Sequence, residues 1–451
     1  MAHPSLSQKQ ATIVNIVALG TIAALVLAGL VASTSEESTQ VGAATSVSPS
    51  TKIGLIDTKR IMAADEAPGD WLSYGRDYGE QRFSPLTQVN KQSIEDLELA
   101  WSFDMFTNRG LEASPIVVDG IMYMTGSWSV VFAVDAKTGE EIWSYDPEVP
   151  GDWARKACCD VVNRGVAVYE GAVYIATLDG YLVSLNAETG EVIWQVSNAV
   201  PFSNAPTIRG GRLYVVSRDS RLQVFSTQDG SRLWEHLAIT ELATVIGATS
   251  PAVDSRMVVA GFNSGEIVAL NSINGRVAWT DSLTSRSTQI TPLSELNAIV
   301  GRPVIDGDRV FAVSHGGRMV SIDMRTGERI WTADIGSIET PWVLGDFIFV
   351  VTLDGQVVCL SSGQGRVRWV SQLPAFEDPD DREGRINWTG PILASGKIYV
   401  ASSTGELLAL DPETGAIETR VDLDEPINVP PVIADGTIYF LADDGSLIAR
   451  R

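Results

Sequence analysis

Adjacent cysteines are uncommon, and Cys158-Cys159 is the pair in this chain with the most chemistry to offer. In an oxidising compartment neighbouring thiols can close an eight-membered ring at the cost of strain in the peptide between them. The same residues also read as two small buried side chains at a strand start, since strand neighbours point to opposite faces. Cys359, between Val358 and Leu360, reads as a core thiol. His3, His236 and His315 are scattered, and no Cys/His spacing matches a zinc site. The acidic stretch Glu377-Asp378-Pro379-Asp380-Asp381 lacks the alternation that calcium loops need and reads as a solvated turn.

Positioning any such groups falls to a repeat. Thr189-Gly190-Glu191-Val192-Ile193-Trp194 recurs at Thr138–Trp143, Asp229–Trp234, Asn274–Trp279, Thr326–Trp331 and Gln364–Trp369, with a decayed copy at Thr414–Thr419. Each copy is a turn whose glycine can take positive φ, followed by a short strand ending on tryptophan. Upstream lies a hairpin such as Ala172–Thr177, Asp179-Gly180, Tyr181–Leu185, in which Asp-Gly is the turn signal. Repeats of about 40 to 50 residues with four strands each are propeller blades. Seven copies plus the strands of Pro430–Ile448 give an all-β, eight-bladed propeller whose last blade lacks an outer strand. Leu97–Phe103 has the right pattern and is expected to supply it, which removes exposed sheet edges.

Residues 1–33 end in an uncharged run, Ala11–Ser33, that as a helix would be about 34 Å long, enough for an N-terminal transmembrane helix or signal peptide. The expected location is therefore the periplasm, anchored to the inner membrane, or secreted if the signal is cleaved. Residues 34–67 read as a tether with a short helix over Ile56–Ala67, capped by Asp57, and residues 68–451 as the propeller. With 33 Lys and Arg against 56 Asp and Glu, the net charge of −23 argues against nucleic acid as a partner and leaves room for a basic protein.

Two families show through the repeats. Trp71–Tyr78, Arg82-Phe83-Ser84-Pro85-Leu86, Gly110-Leu111-Glu112-Ala113 and Cys158-Cys159 to Arg164 resemble the amino-terminal part of periplasmic quinoprotein alcohol dehydrogenases. That resemblance implies pyrroloquinoline quinone (PQQ) in the propeller funnel, stacked on a vicinal disulfide between Cys158 and Cys159 and hydrogen-bonded by Glu112 and Arg164, with calcium and a carboxylate base beside it. No equivalent of the family's calcium-binding glutamate or catalytic aspartate segment is found in this sequence. From about residue 199 onward, Gly301-Arg302-Pro303-Val304, Val313–Arg318, Thr340-Pro341-Trp342-Val343 and Asn387–Pro391 resemble the BamB family of outer-membrane assembly factors. That resemblance implies a non-catalytic periplasmic scaffold that binds the outer-membrane barrel-assembly subunit or another envelope protein. Its contact regions would be Ile239–Gly247 and Leu296–Gly301, with Val245, Ile246, Leu296 and Ile299 at the interface. The BamB family's Asp-x-Asp pair is replaced by Ala298-Ile299-Val300, and no cysteine precedes Cys158 to carry a lipid. The scaffold is the expected function, with no catalytic residue and no confidently assigned cofactor or metal. The alternative is a PQQ-dependent, alcohol dehydrogenase-like quinoprotein lacking its calcium and catalytic residues.

Overall fold

The computed structural model describes residues 53–85, 97–155, 160–240, 249–284 and 297–451. The uncharged N-terminal run, most of the tether, Cys158, Cys159, Val245, Ile246 and Leu296 lie outside the described residues. Among the described residues no helix is long and apolar enough to cross a membrane.

Eight antiparallel four-stranded meanders make the blades, the first running from Ile116 to Tyr145 and the seventh from Trp388 to Asp422. The eighth blade joins Val432–Ala434, Thr437–Leu441 and Ser446–Arg450 to the outer strand Leu99–Asp104, in the register Ser102 opposite Ile448 and Phe103 opposite Leu447. Inner strands are short and buried, and outer strands alternate exposed and partly covered residues, as an outer edge with one packed face must.

The repeat has a mechanical reason. Each turn glycine lies against the tryptophan of the preceding blade, so a Cβ on Gly190 would sit 2.7 Å from Trp143, on Gly275 2.5 Å from Trp234 and on Gly415 2.5 Å from Trp369. Those glycines have φ near +70°, a region that L side chains avoid. Several of the indoles also donate Nε1–H across the joint, Trp143 to Ala187 O at 3.1 Å and Trp331 to Ser362 O at 2.8 Å. Trp101, on the closing strand, fills the same role against Gly139 of blade 1. Thr419 stands at the tryptophan's place in blade 7, opposite Ala409, and blade 8 presents no glycine turn to receive an indole.

Ile53, Ile56, Ile61 and Ala64, within the stretch read as a tether, already pack on the propeller. Asp57 caps the helix Thr58–Met62 through a 2.8 Å bond from Arg60 N, and Ile56, Ile61 and Ala64 are buried with blades 1 and 2. The chain then crosses the ring. Trp71 exchanges backbone hydrogen bonds with Val117 of blade 1, and Tyr78 Oη donates to Ile208 O of blade 3 at 2.7 Å. Glu80 pairs with Arg302 beside blade 5 at 2.7 Å, and Phe83-Ser84 runs parallel to Leu393-Ala394 of blade 7. A segment that touches the inner strands of blades 1, 3, 5 and 7 passes over the axis, so Trp71–Ser84 plugs one end of the central channel.

Candidate functional site

Every blade contributes to one cavity of about 420 Å³ from a position at the start of its inner strand or a few residues before it: Glu112, Arg164, Asn204, Thr249, Arg302, Glu339, Trp388 and Asn428 in blade order, with Tyr74 from the plug. These positions are rigid because local bonds hold the backbone. Asn163 Nδ2 donates to Ser129 Oγ and Ala176 O, its Oδ1 accepts Gly165 N at 3.0 Å, and Gly165 takes φ +110°, so the intervening Arg164 is turned inward. Asn204 does the equivalent in blade 3, donating to Thr249 O and accepting from Val216 N.

Arg164 donates through Nη2 and Nε to Glu112 Oε2 at 2.6 and 2.9 Å, and through Nη1 to Ser203 O at 2.9 Å. The pair keeps side-chain exposures of 23% and 35%, which leaves room for a further charged partner. The structure thus brings together the two described residues expected to hold a quinone. Ile299, expected at a protein contact, is fully buried and packs against Gly261 and the core between blades 4 and 5. A side chain with no exposed surface makes no direct contact with a partner. Cys359 is buried, as a core thiol should be, and burial pushes it up to about 11.

Sequence reading missed the charges at the plugged end. The guanidinium groups of Arg82 and Arg302 lie 4.6 and 4.3 Å from the Tyr74 ring centroid. Arg82 is buried, and none of its three side-chain nitrogens has a hydrogen-bond partner. Glu339 lines the cavity, accepts from Thr389 Oγ1 at 3.1 Å, and is raised above the ordinary carboxyl range by desolvation, against the opposing pull of Arg82 and Thr389. His315, one of the three scattered histidines, lines the same cavity and leaves a buried Nδ1 without a partner. A signal was available: Arg82, Arg302, Trp388 and Thr389 all sit in the motifs that carry the family resemblances, and Glu339 immediately precedes another.

Fold and site together define a PQQ-type eight-bladed propeller with a charged, plugged channel. A family model described as outer membrane protein assembly factor BamB matches residues 127–371 and 378–450, more than two thirds of the chain, and the protein belongs to that family. Among curated proteins, the dehydrogenase subunit of the quinone alcohol dehydrogenase of Gluconacetobacter polyoxogenes is 41% identical over 210 residues, covering 43% of this chain and 28% of that protein. The quinohemoprotein alcohol dehydrogenase ADH-IIG of Pseudomonas putida is 51% identical over 155 residues, covering 34% and 22%. The chain therefore spans less than a third of the length of these relatives. Two solved structures share the fold: the quinohemoprotein alcohol dehydrogenase of Comamonas testosteroni, with TM-score 0.71, 19% identity and coverage of 88% of this chain and 82% of that one, and BamB of Moraxella catarrhalis, with TM-score 0.65, 23% identity and coverage of 79% and 99%.

Proposed function

We propose that this chain is a quinone-binding propeller of the quinoprotein dehydrogenase type, exported to the periplasm, which takes a planar carboxylated quinone such as PQQ into its channel and oxidises alcohols there. One observation carries the reading: Glu112 and Arg164, the positions that match the dehydrogenases' cofactor contacts, meet at 2.6 Å on the wall of the cavity that also holds Glu339. The identities of 41% and 51% to quinone alcohol dehydrogenases support this reading over the scaffold expected from the sequence.

The donor set suits the quinone. Arg164 offers a partly open guanidinium for a carboxylate, and Asn204 Nδ2, which donates one hydrogen to Thr249 O, keeps a second along the same wall. Calcium is a poorer fit, because among the described residues no group of three or more His, Cys, Asp or Glu could hold a metal, and no step is assigned to it. The bound quinone would supply the two-electron acceptor for alcohol oxidation. Around it, Arg164 orients the ligand, the plug excludes water from one end, and Glu339 takes the proton from a substrate hydroxyl. Desolvation raises Glu339 above the ordinary carboxyl range, which makes its carboxylate a stronger base, while Arg82 and the bond from Thr389 oppose the rise.

Titration with PQQ, followed by quenching of protein fluorescence, tests the reading directly. Saturable binding is expected, weakened about tenfold or more by Arg164→Ala through loss of a charge-assisted bond. Dye-linked oxidation of short alcohols should then fall in Glu339→Gln while quinone affinity stays constant. Absence of quinone binding, with and without added Ca²⁺, overturns the proposal. Intact mass before and after reduction reports whether Cys158 and Cys159 are bonded.

A second reading keeps one observation in its favour, the span of the BamB family model across blades 1 to 8. Under it the protein is a periplasmic scaffold for outer-membrane barrel assembly. Ile239 is 60% exposed at the start of the expected contact loop, so a photo-crosslinker there should capture the barrel-assembly subunit if the scaffold reading holds.

A further inference from the structure

The plugged end of the channel carries more positive charge than its hydrogen bonds use. Arg302, beside the inner strand of blade 5, lines the cavity and is only 7% exposed. Among the described residues its guanidinium donates to Glu80 alone, through Nη1 at 2.7 Å, and its backbone N–H goes to Thr340 Oγ1 at 3.1 Å. The Nε and Nη2 edge, the side that meets a carboxylate in a two-pronged bond, is left without a partner. Thr340 also lines the cavity, and its hydroxyl proton has no acceptor among the described residues.

Arg82 shares the Tyr74 ring with Arg302, the two guanidinium carbons lying 4.6 and 4.3 Å from the ring centroid. Stacking uses the face of a guanidinium and leaves its in-plane N–H groups to be satisfied elsewhere. For Arg82, buried at 1% exposure, none of the three nitrogens is satisfied, a costly state for a charged group. Counter-charge is also short. Arg76 is bonded to Asp65 and Arg302 to Glu80. Glu339 lies within the field of Arg82, and burial pushes both Glu339 and the plug residue Asp77 toward their neutral forms. Where those two carboxyls are neutral, three guanidinium groups are left with two carboxylates, Asp65 and Glu80.

We infer that the channel floor is a binding site for a small carboxylate monoanion, held in plane by the Nε and Nη2 edge of Arg302 and by the Thr340 hydroxyl, with the buried charge of Arg82 supporting it. A dianion is disfavoured, because Glu80 and Glu339 stand on either side of Arg302 in its contacts and in the cavity wall. The site is separate from the Glu112 and Arg164 pair, which stands three blades away around the ring and is already bonded to itself. Binding here does not rest on the quinone. If the channel oxidises alcohols as proposed above, a carboxylate beside Glu339 occupies the space of the substrate hydroxyl and competes with it, a consequence that does rest on that reading.

Saturation-transfer NMR of the full chain with sodium acetate, at pH 6 in chloride-free buffer and without PQQ, tests the inference. Saturable acetate binding is expected, weakened about tenfold or more by Arg302→Gln through loss of charge-assisted bonds. Glu80→Gln and Glu339→Gln each remove a negative charge near the site and should tighten acetate several-fold. That opposite sign separates a binding role from a structural one, since an Arg302–Glu80 pair that only holds the plug would make Arg302→Gln and Glu80→Gln act alike. Arg164→Ala should leave acetate binding nearly unchanged. Circular dichroism checks that each variant is folded, and Glu339→Gln supplies the test if Glu80→Gln is not. Absence of saturable binding in the parent, chloride binding as tightly as acetate, or acetate binding that survives Arg302→Gln and is lost in Arg164→Ala overturns the inference. PQQ titration of the same samples separates the two claims: acetate binding without quinone binding removes the proposed function and keeps the floor site, and the reverse removes the floor site alone.

Discussion

Charged side chains at the plug are held in buried surroundings. Asp77 is raised to about 6, first by desolvation, with Glu80 adding to the rise and hydrogen bonds from the Gln81 and Gly79 backbone opposing it. Its folded value lies above its unfolded one, so the folded protein holds the proton more tightly and stability falls as pH climbs from about 4 to about 6. Asp77→Asn keeps an acceptor for the backbone amides and removes the titration. We expect it to raise stability at pH 7 by on the order of 2 kcal/mol and to flatten the denaturant midpoint between pH 4 and 6, against a falling midpoint in the parent. Arg82 belongs to the same set. Arg82→Gln removes a positive charge that opposes the neutral form of Glu339, so under the proposed alcohol oxidation the acid limb of the pH profile should move to higher pH. Arg82→Lys should restore its place, and a limb that stays put in all three proteins would separate Glu339 from the reaction.

Elements are joined by one device used repeatedly, a glycine turn receiving the indole of the previous blade. Gly275→Ala forces a Cβ to within 2.5 Å of Trp234 at φ +69°, and we expect about 2 to 4 kcal/mol of destabilisation, read from urea midpoints. The same substitution at Gly307, where φ is +58° but nothing lies within 4 Å, should cost about 1 to 2 kcal/mol, the backbone share alone. This joint is why the architecture could be read from sequence: a Gly and a Trp at fixed spacing are both required by the contact, so the repeat survives where loops vary. The closing strand was legible for the same reason, since Leu97–Phe103 ends on the pattern of an outer strand and carries Trp101. The site was legible only where residues lay in motifs with a recognisable partner, as Glu112 and Arg164 did. Glu80, Arg82 and Arg302 meet across a sequence separation of 222 residues between Glu80 and Arg302, which no local spacing reports. Ile299 is covered by Gly261 and the core between blades 4 and 5, contacts that the sequence around residues 296–301 does not report.

At the scale of the whole molecule, ring closure depends on a strand from the opposite end of the chain from its three partners. Trp101→Ala removes the indole from Gly139 and from Tyr439, whose ring centroid is 5.8 Å away, and should cost about 2 to 4 kcal/mol. A circular-dichroism melting curve that is unchanged in this variant would mean that the blade 8 to blade 1 joint contributes little. The plug qualifies what such a loss can do. A wheel held only along its rim opens as soon as its weakest joint parts, and every other joint is then loaded in turn. Here Trp71–Ser84 acts as a strut across the hub, fastened to four alternate segments, so a parted rim cannot spread until the strut has also let go. Two independent breaks must coincide for the circle to become an arc, and the protein is therefore expected to outlast, in time at a given temperature, a ring of equal equilibrium stability that has no crosspiece.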